Sequence, residues 1–337
     1  MTAGTTAVRL HGGAGAAGPA RWDFSTCSNA AGPCPTALTA VTSADATRYP
    51  DPNATQVRKA LADWHGVEPH RILPAASASE FIQRITAVTG RLWPGAVSVP
   101  RYAYGDYAIA AQANRRCLTP SDSVESSNAT LRWCADPSSP LGANGGLDAD
   151  PTRWPLVLDR VYAPLRLTGS SEWSTVEVDE VFTLHSPNKA LGLTGVRGAY
   201  AIAPARAEYD LKACCTALEL SAPSWPWSAH AEAMLASWVT ADVQAWLQQS
   251  RITLAFWKRQ LCAALESNGF EVLSSVTPFF VVRPPQPIDP GRLRAHGVAV
   301  RDTTSFGLPG RWRVAVQPPD ACDALMRAID DVAECCR

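Results

Sequence analysis

Short apolar runs of β-forming residues alternate along this chain with stretches of helical periodicity. This alternation constrains the fold more than any other feature of the sequence. Strand-like runs are predicted at 96–99, 156–159, 178–184, 199–203, 279–282, 298–301 and 313–316. Helical patterns are predicted at 55–65, 78–88, 205–220, 229–268 with one break, 290–296 and 320–335. Such an order implies an α/β fold, with a mostly parallel central sheet and helices on both faces. Ligands of such sheets sit at the carboxyl ends of the strands. That rule selects Asp159, which ends the run Leu-Val-Leu-Asp, and Ser186 and Lys189, which follow Val-Asp-Glu-Val-Phe-Thr-Leu. Residues 120–128 and 136–151 read as loops, and no internal repeat is visible.

The chain has 337 residues, more than the roughly 250–300 at which a single core stops growing, so one large and one smaller domain are expected. The large domain is placed at 46–223. A small α+β domain at 224–337 packs with the N-terminal segment 1–45. Hydrophobic residues make up 46% and charged residues 18%, enough apolar side chain for a sizeable core. The formal net charge is −1 and no Lys/Arg stripe is present, which argues against a nucleic-acid partner. No apolar run approaches the roughly 18 residues of a membrane span. Residues 1–20 lack the apolar core of a secretion signal, so a cytoplasmic location is expected. The ten cysteines include the neighbours Cys214–Cys215 and Cys335–Cys336 but no C-x-x-C pair. They read as reduced thiols, with no metal site.

The densest chemistry lies in Leu184-His-Ser-Pro-Asn-Lys-Ala-Leu-Gly-Leu-Thr-Gly-Val-Arg197. A lysine in a small-residue loop after a strand can form a Schiff base with an aldehyde cofactor. Ser186 and Arg197 supply a hydroxyl and a guanidinium for a dianionic phosphate. Thirty residues upstream, Leu156-Val-Leu-Asp159-Arg-Val-Tyr162 places a carboxylate at a strand end and a tyrosine three residues later. A carboxylate there can pair with a protonated pyridine nitrogen and keep the ring a good electron sink. Pro74-Ala-Ala-Ser-Ala-Ser-Glu80 opens a helix, where Ser77, Ala78 and Ser79 can cradle phosphate through backbone N–H groups and the helix dipole. The plainer readings are a surface loop for Lys189, a turn or cap for Asp159 and an ordinary N-cap for Ser77.

These segments resemble the Ser-x-x-Lys…Gly-x-x-Gly-x-Arg and Asp-x-x-Tyr motifs of fold-type-I, class I/II aminotransferases, which use pyridoxal 5′-phosphate (PLP). The resemblance implies that Lys189 carries the cofactor, Asp159 meets its ring nitrogen and Tyr162 its phenolic oxygen. It implies further that an aromatic of Pro100-Arg-Tyr-Ala-Tyr104-Gly-Asp-Tyr107 stacks on the ring, Tyr104 before Tyr102. Tyr49, in Arg48-Tyr-Pro-Asp-Pro52, is expected to reach the cofactor of a partner subunit in a homodimer. Arg313 is expected to bind the substrate α-carboxylate and Arg301 the distal end of the substrate, while Arg311 is expected at the surface.

Three further stretches are His11-Gly-Gly13, Trp22-Asp-Phe-Ser25…Asn29…Gly32-Pro33 and Pro226-Trp-Ser228. They are similar to cobalamin-pathway threonine-phosphate decarboxylases and their histidinol-phosphate aminotransferase cousins. The similarity puts His11 and Asn29 among the substrate-binding residues. Ser139-Pro-Leu-Gly142 stands where the family has Asn-Pro-Thr-Gly, so Ser139 takes the cofactor-binding place of that Asn. Arg160 replaces a Glu, and Cys27 replaces a polar residue. The resemblance implies decarboxylation of a phosphorylated amino acid such as O-phosphothreonine. The alternative is transamination of an amino acid or amino phosphate, and a non-enzymatic PLP-binding module comes third.

Overall fold

The structure is a computed structural model that describes residues 11–15, 18–146 and 152–334. Most of the leader reading for 1–20, the Cys335–Cys336 pair and the end of the 136–151 loop fall outside these residues. No described helix is long and apolar enough to cross a membrane.

The largest sheet has seven strands. In spatial order they are Ile72–Ala75, Ala199–Ile202, Phe182–His185, Leu156–Asp159, Leu131–Ala135, Val97–Val99 and Leu118–Pro120. Only Ala199–Ile202 runs against the others, antiparallel to both of its neighbours. The remaining contacts are parallel, as the strand–helix alternation requires. One face packs on the helices Ala78–Leu92, Gly105–Ala113 and Leu211–Leu220 through Phe81, Ile82, Ile85, Val88 and Leu218. The other packs on the helices Thr55–His65 and Ala229–Trp238, with Leu61, Trp227 and Met234 in a core that continues to Leu254 and Val314. A second, four-stranded sheet lies in Glu271–Val272, Phe279–Arg283, Arg301–Asp302 and Trp312–Ala315. The N-terminal strand Trp22–Asp23 pairs in parallel with Val298–Ala299, which ties the start of the chain to its last third.

Several predicted elements differ from the observed ones for local reasons. The run 178–184 is not one strand: Thr175–Asp179 is a helix held by a capping box between Ser174 and Glu177, and the strand begins at Phe182. The helix predicted from 205 starts at Leu211, because the Asp210 side chain caps Ala213 N–H. The run 298–301 breaks at Val300, so Val298–Ala299 and Arg301–Asp302 join different sheets. Ile72–Ala75 was masked as a strand by Pro74, which an edge strand tolerates. The helix predicted over 229–268 does break once, into Ala229–Trp238 and Ala241–Ser267.

Candidate active site

Five loops leave the carboxyl ends of strands that run in the same direction, and they carry most of the predicted site residues. Ile72–Ala75 leads to Ser77–Ser79, Val97–Val99 to Tyr104, and Leu131–Ala135 to Ser139. Leu156–Asp159 ends in Asp159, with Tyr162 close behind, and Phe182–His185 leads to Ser186 and Lys189. Asp159 lies in register with Leu184, so the Asp159 and Lys189 loops are neighbours.

Lys189 points into this cluster. Its Nζ lies 5.2 Å from the centre of the Tyr162 ring. Burial lowers the pKa of its amine; Asp159 and Cys27 raise it, while Arg313 and Arg197 add to the lowering. Such an amine loses its proton more readily than a solvated lysine and is a better nucleophile and base. Asp159 is 9% exposed. Its Oδ2 accepts from the Tyr107 hydroxyl at 2.6 Å and its Oδ1 from Val161 N–H at 2.9 Å. Burial pushes this carboxyl up, against the pull of Tyr107, Val161 N–H and Lys189. Tyr162 packs edge-on against Phe279 at 4.7 Å, and burial holds its hydroxyl protonated well above the usual range.

Ser77 caps the helix Ala78–Leu92, its Oγ accepting from Glu80 N–H at 3.1 Å. Ala78 is the first helical residue, and the Ser79 and Tyr104 hydroxyls are 3.4 Å apart. The Ser186 hydroxyl lies 3.0 Å from Asn188 Oδ1 and 3.1 Å from Gly198 O. Arg197 is exposed, yet close enough to act on the charge of Lys189.

Arg301 and Arg313 are directly opposite each other on paired strands, and each is 7% exposed. Both guanidinium groups lie over the Phe306 ring, at 4.9 and 5.6 Å from its centre. Arg313 donates to Ser139 Oγ at 3.2 Å and to Ser25 O at 3.1 Å. Arg301 donates to Asp302 O at 2.7 Å and to Ser305 Oγ at 2.8 Å. Burial, and then repulsion from Arg313, lowers the pKa of Arg301. Two buried guanidinium groups held side by side could receive anionic groups of a ligand. Arg311 instead faces Glu271 at 3.9 Å.

His11 reaches the same mouth, its ring 6.0 Å from that of Tyr104 and its Nε2 3.7 Å from Asp106 Oδ1. Tyr49 does not join the cluster within this chain; it is 80% exposed and stacks on Trp225 at 4.5 Å. Asn29 needs correction as a substrate ligand. Its Nδ2 donates to Ala190 O and Ser250 Oγ, its Oδ1 accepts from Ala31 N–H, and its own N–H donates to Lys189 O. With its polar atoms engaged, Asn29 positions the lysine loop rather than facing a ligand. Gly192 helps: at φ +68°, it lets Gly32 O approach so closely that a Cβ would sit 2.7 Å from it.

Two residues of the cluster were not predicted to play a part. Tyr107 is fully buried, stacks on Trp133 at 4.4 Å and orients Asp159. Its signal was its position three residues after Tyr104, on the same side of a helix. Cys27 is 3% exposed, packs with Phe279 and Tyr162, and sits within electrostatic reach of Arg313 and Lys189. No local pattern marks it as a site residue.

This donor set fits PLP. Lys189 could offer the amine for the aldehyde, Asp159 a carboxylate for the ring nitrogen, Tyr162 a hydroxyl for the ring oxygen, and the Ser77-capped helix start a phosphate cradle. Residues 149–329 match the family model for aminotransferase class I and II. The chain is 26% identical to histidinol-phosphate aminotransferase from Dinoroseobacter shibae, covering 91% of this chain and 89% of that protein. In fold it is similar to histidinol-phosphate aminotransferase from Sinorhizobium meliloti, solved in complex with PLP (TM-score 0.75, 19% identity, 93% of this chain and 90% of that one). It is also similar to L-threonine-O-3-phosphate decarboxylase from Porphyromonas gingivalis (TM-score 0.72, 19% identity, 92% of this chain and 99% of that one). The family model spans more than half of the sequence, and the chain belongs to the aminotransferase class I and II family of PLP-dependent enzymes.

Proposed function

We propose that the enzyme acts at Cα of an amino acid bearing a second, distal anionic group, and that it decarboxylates a phosphorylated amino acid such as O-phosphothreonine, as in cobalamin biosynthesis. The observation that carries this reading is the buried Arg301–Arg313 pair on opposed strands. With the α-carboxylate at one guanidinium, a distal anionic group would meet the other. Arg313, fixed by Ser139 and Ser25, orients the α-carboxylate, and Arg301 takes the phosphate. His11 lies at the mouth beside Tyr104, where an N-terminal segment would cover the substrate. Bound PLP supplies the electron sink for the bond broken at Cα. Asp159 would keep the ring nitrogen charged, Tyr162 would hold the ring oxygen, and the Lys189 amine would deliver the proton that replaces the departing carboxylate at Cα. Tyr49, exposed beside Trp225, is assigned to the cofactor phosphate of a partner subunit in a homodimer.

Transamination is the second reading. Tyr162 favours it, since its hydroxyl is the aminotransferase feature at that position, and the D. shibae relative is a histidinol-phosphate aminotransferase. Incubation of the holoenzyme with O-phosphothreonine separates the two. The expected result is CO₂ and an amino-alcohol phosphate; formation of a keto product without CO₂ would overturn decarboxylation. Arg301→Ala should weaken O-phosphothreonine binding by about 2–5 kcal/mol while leaving threonine nearly unchanged. Equal losses for both ligands would refute the distal-anion role.

A further inference from the structure

A second cluster of arginines lies outside the active site. A cleft of about 940 Å³ opens between the segment that follows Asp159 and the long helix Ala241–Ser267. Arg160 and Arg166 line one wall, and Arg251 and Arg259, two helical repeats apart, line the other. Ile252 and Phe256, 60% and 50% exposed, lie between them on the helix wall. Asp136 is the single carboxylate among the described lining residues, and it is already engaged: it accepts from Arg166 at 2.7 Å and from the Ser171 hydroxyl. Arg160 Nε is buried with no hydrogen-bond partner among the described residues. Burial lowers the pKa of Arg160; Asp136 raises it, and Arg166 adds to the lowering. The cleft therefore has four arginines against one carboxylate on its described walls, beside half-exposed apolar side chains.

We propose that this cleft binds a small organic phosphate with a planar apolar group, and that the ligand regulates the active site. The phosphate would meet Arg160, Arg251 and Arg259, and the planar group would lie on Phe256 and Ile252. The route to the chemistry is short. Arg160 directly follows Asp159, and its N–H donates to Leu184 O at 2.9 Å, on the strand that leads to Ser186 and Lys189. A ligand that draws Arg160 into the cleft pulls on the backbone of both loops.

Calorimetric titration of the holoenzyme with adenosine 5′-monophosphate, and with adenosine as the uncharged control, tests the proposal. The nucleotide should bind, and adenosine should bind at least about tenfold more weakly, since each charge-assisted contact is worth about 1.5–3 kcal/mol. Arg251→Ala with Arg259→Ala should reduce nucleotide affinity by about tenfold or more. That double variant should keep its activity without nucleotide, because neither residue touches the active site, and should lose any change in kcat or KM that the nucleotide causes. Arg313→Ala should bind the nucleotide as the unsubstituted enzyme does. Nucleotide binding that survives the double substitution, or that disappears in Arg313→Ala, overturns the proposal. So does equal affinity for adenosine, or no binding at millimolar nucleotide.

Discussion

Tyr107→Phe tests how Asp159 is tuned. The substitution removes one hydroxyl and keeps the ring that stacks on Trp133 at 4.4 Å, so packing changes little. Asp159 loses the 2.6 Å bond from Tyr107 and keeps only the Val161 N–H. A hydrogen bond to a buried charged group is worth about 1.5–3 kcal/mol. At about 1.36 kcal/mol per pKa unit, its loss raises the Asp159 pKa by a further one to two units, roughly. A protonated Asp159 cannot hold the ring nitrogen charged, so the acid limb of the pH–kcat profile should move to higher pH by about that amount. The stability consequence has a definite sign. The folded-state pKa of Asp159 is raised by burial, so its ionisation costs stability as pH rises from the unfolded carboxylate value, about 3.9, through the folded one. The variant deepens that cost. Urea unfolding of the apo-protein should show Tyr107→Phe less stable by about 1.5–3 kcal/mol at neutral pH, with the gap narrowing towards pH 4. Unchanged acid limbs together with a pH-independent stability gap would refute this account.

Lys189→Ala should remove the visible absorbance of lysine-bound PLP along with turnover; a mutant that keeps the visible band would place the cofactor lysine elsewhere. Asn29→Ala strips donors from Ala190 O and Ser250 Oγ and should cost about 1–3 kcal/mol in urea unfolding, with weaker PLP retention. Wild-type stability in that variant would remove its role as an anchor. Gly192→Ala places a Cβ at φ +68° against Gly32 O and should cost at least about 1–3 kcal/mol, read as a drop in Tm; a neutral result would mean that the two segments can separate freely.

Much of the architecture was legible because it is written locally. The run Leu-Val-Leu-Asp places its one polar residue last, and Asp159 does close that strand. The Ser186–Lys189–Arg197 spacing lies within one loop, and the Ser77 cap is a three-residue signal. The elements that escaped were those whose local pattern competes with tertiary context. Pro74 hid an edge strand, and a capping box at Ser174 turned part of an apolar run into helix.

By itself the sequence determined the α/β alternation, the chain order of the motif loops and the chemical character of the cofactor site, since each depends on contacts within a few residues. The tertiary structure alone decided which distant side chains meet. Asn29 and Ser250 are 221 positions apart, and Arg313 and Ser25 are 288 apart, so no periodicity could pair them. The Arg301–Arg313 pair exists because two short strands align in one register, and a shift of one residue would turn one of the two side chains to the opposite face. Tyr107 touches Asp159 and Cys27 lies beside Lys189 only because the sheet, its helix and the N-terminal strand pack together. Those contacts are set by packing across the core, which no local pattern encodes.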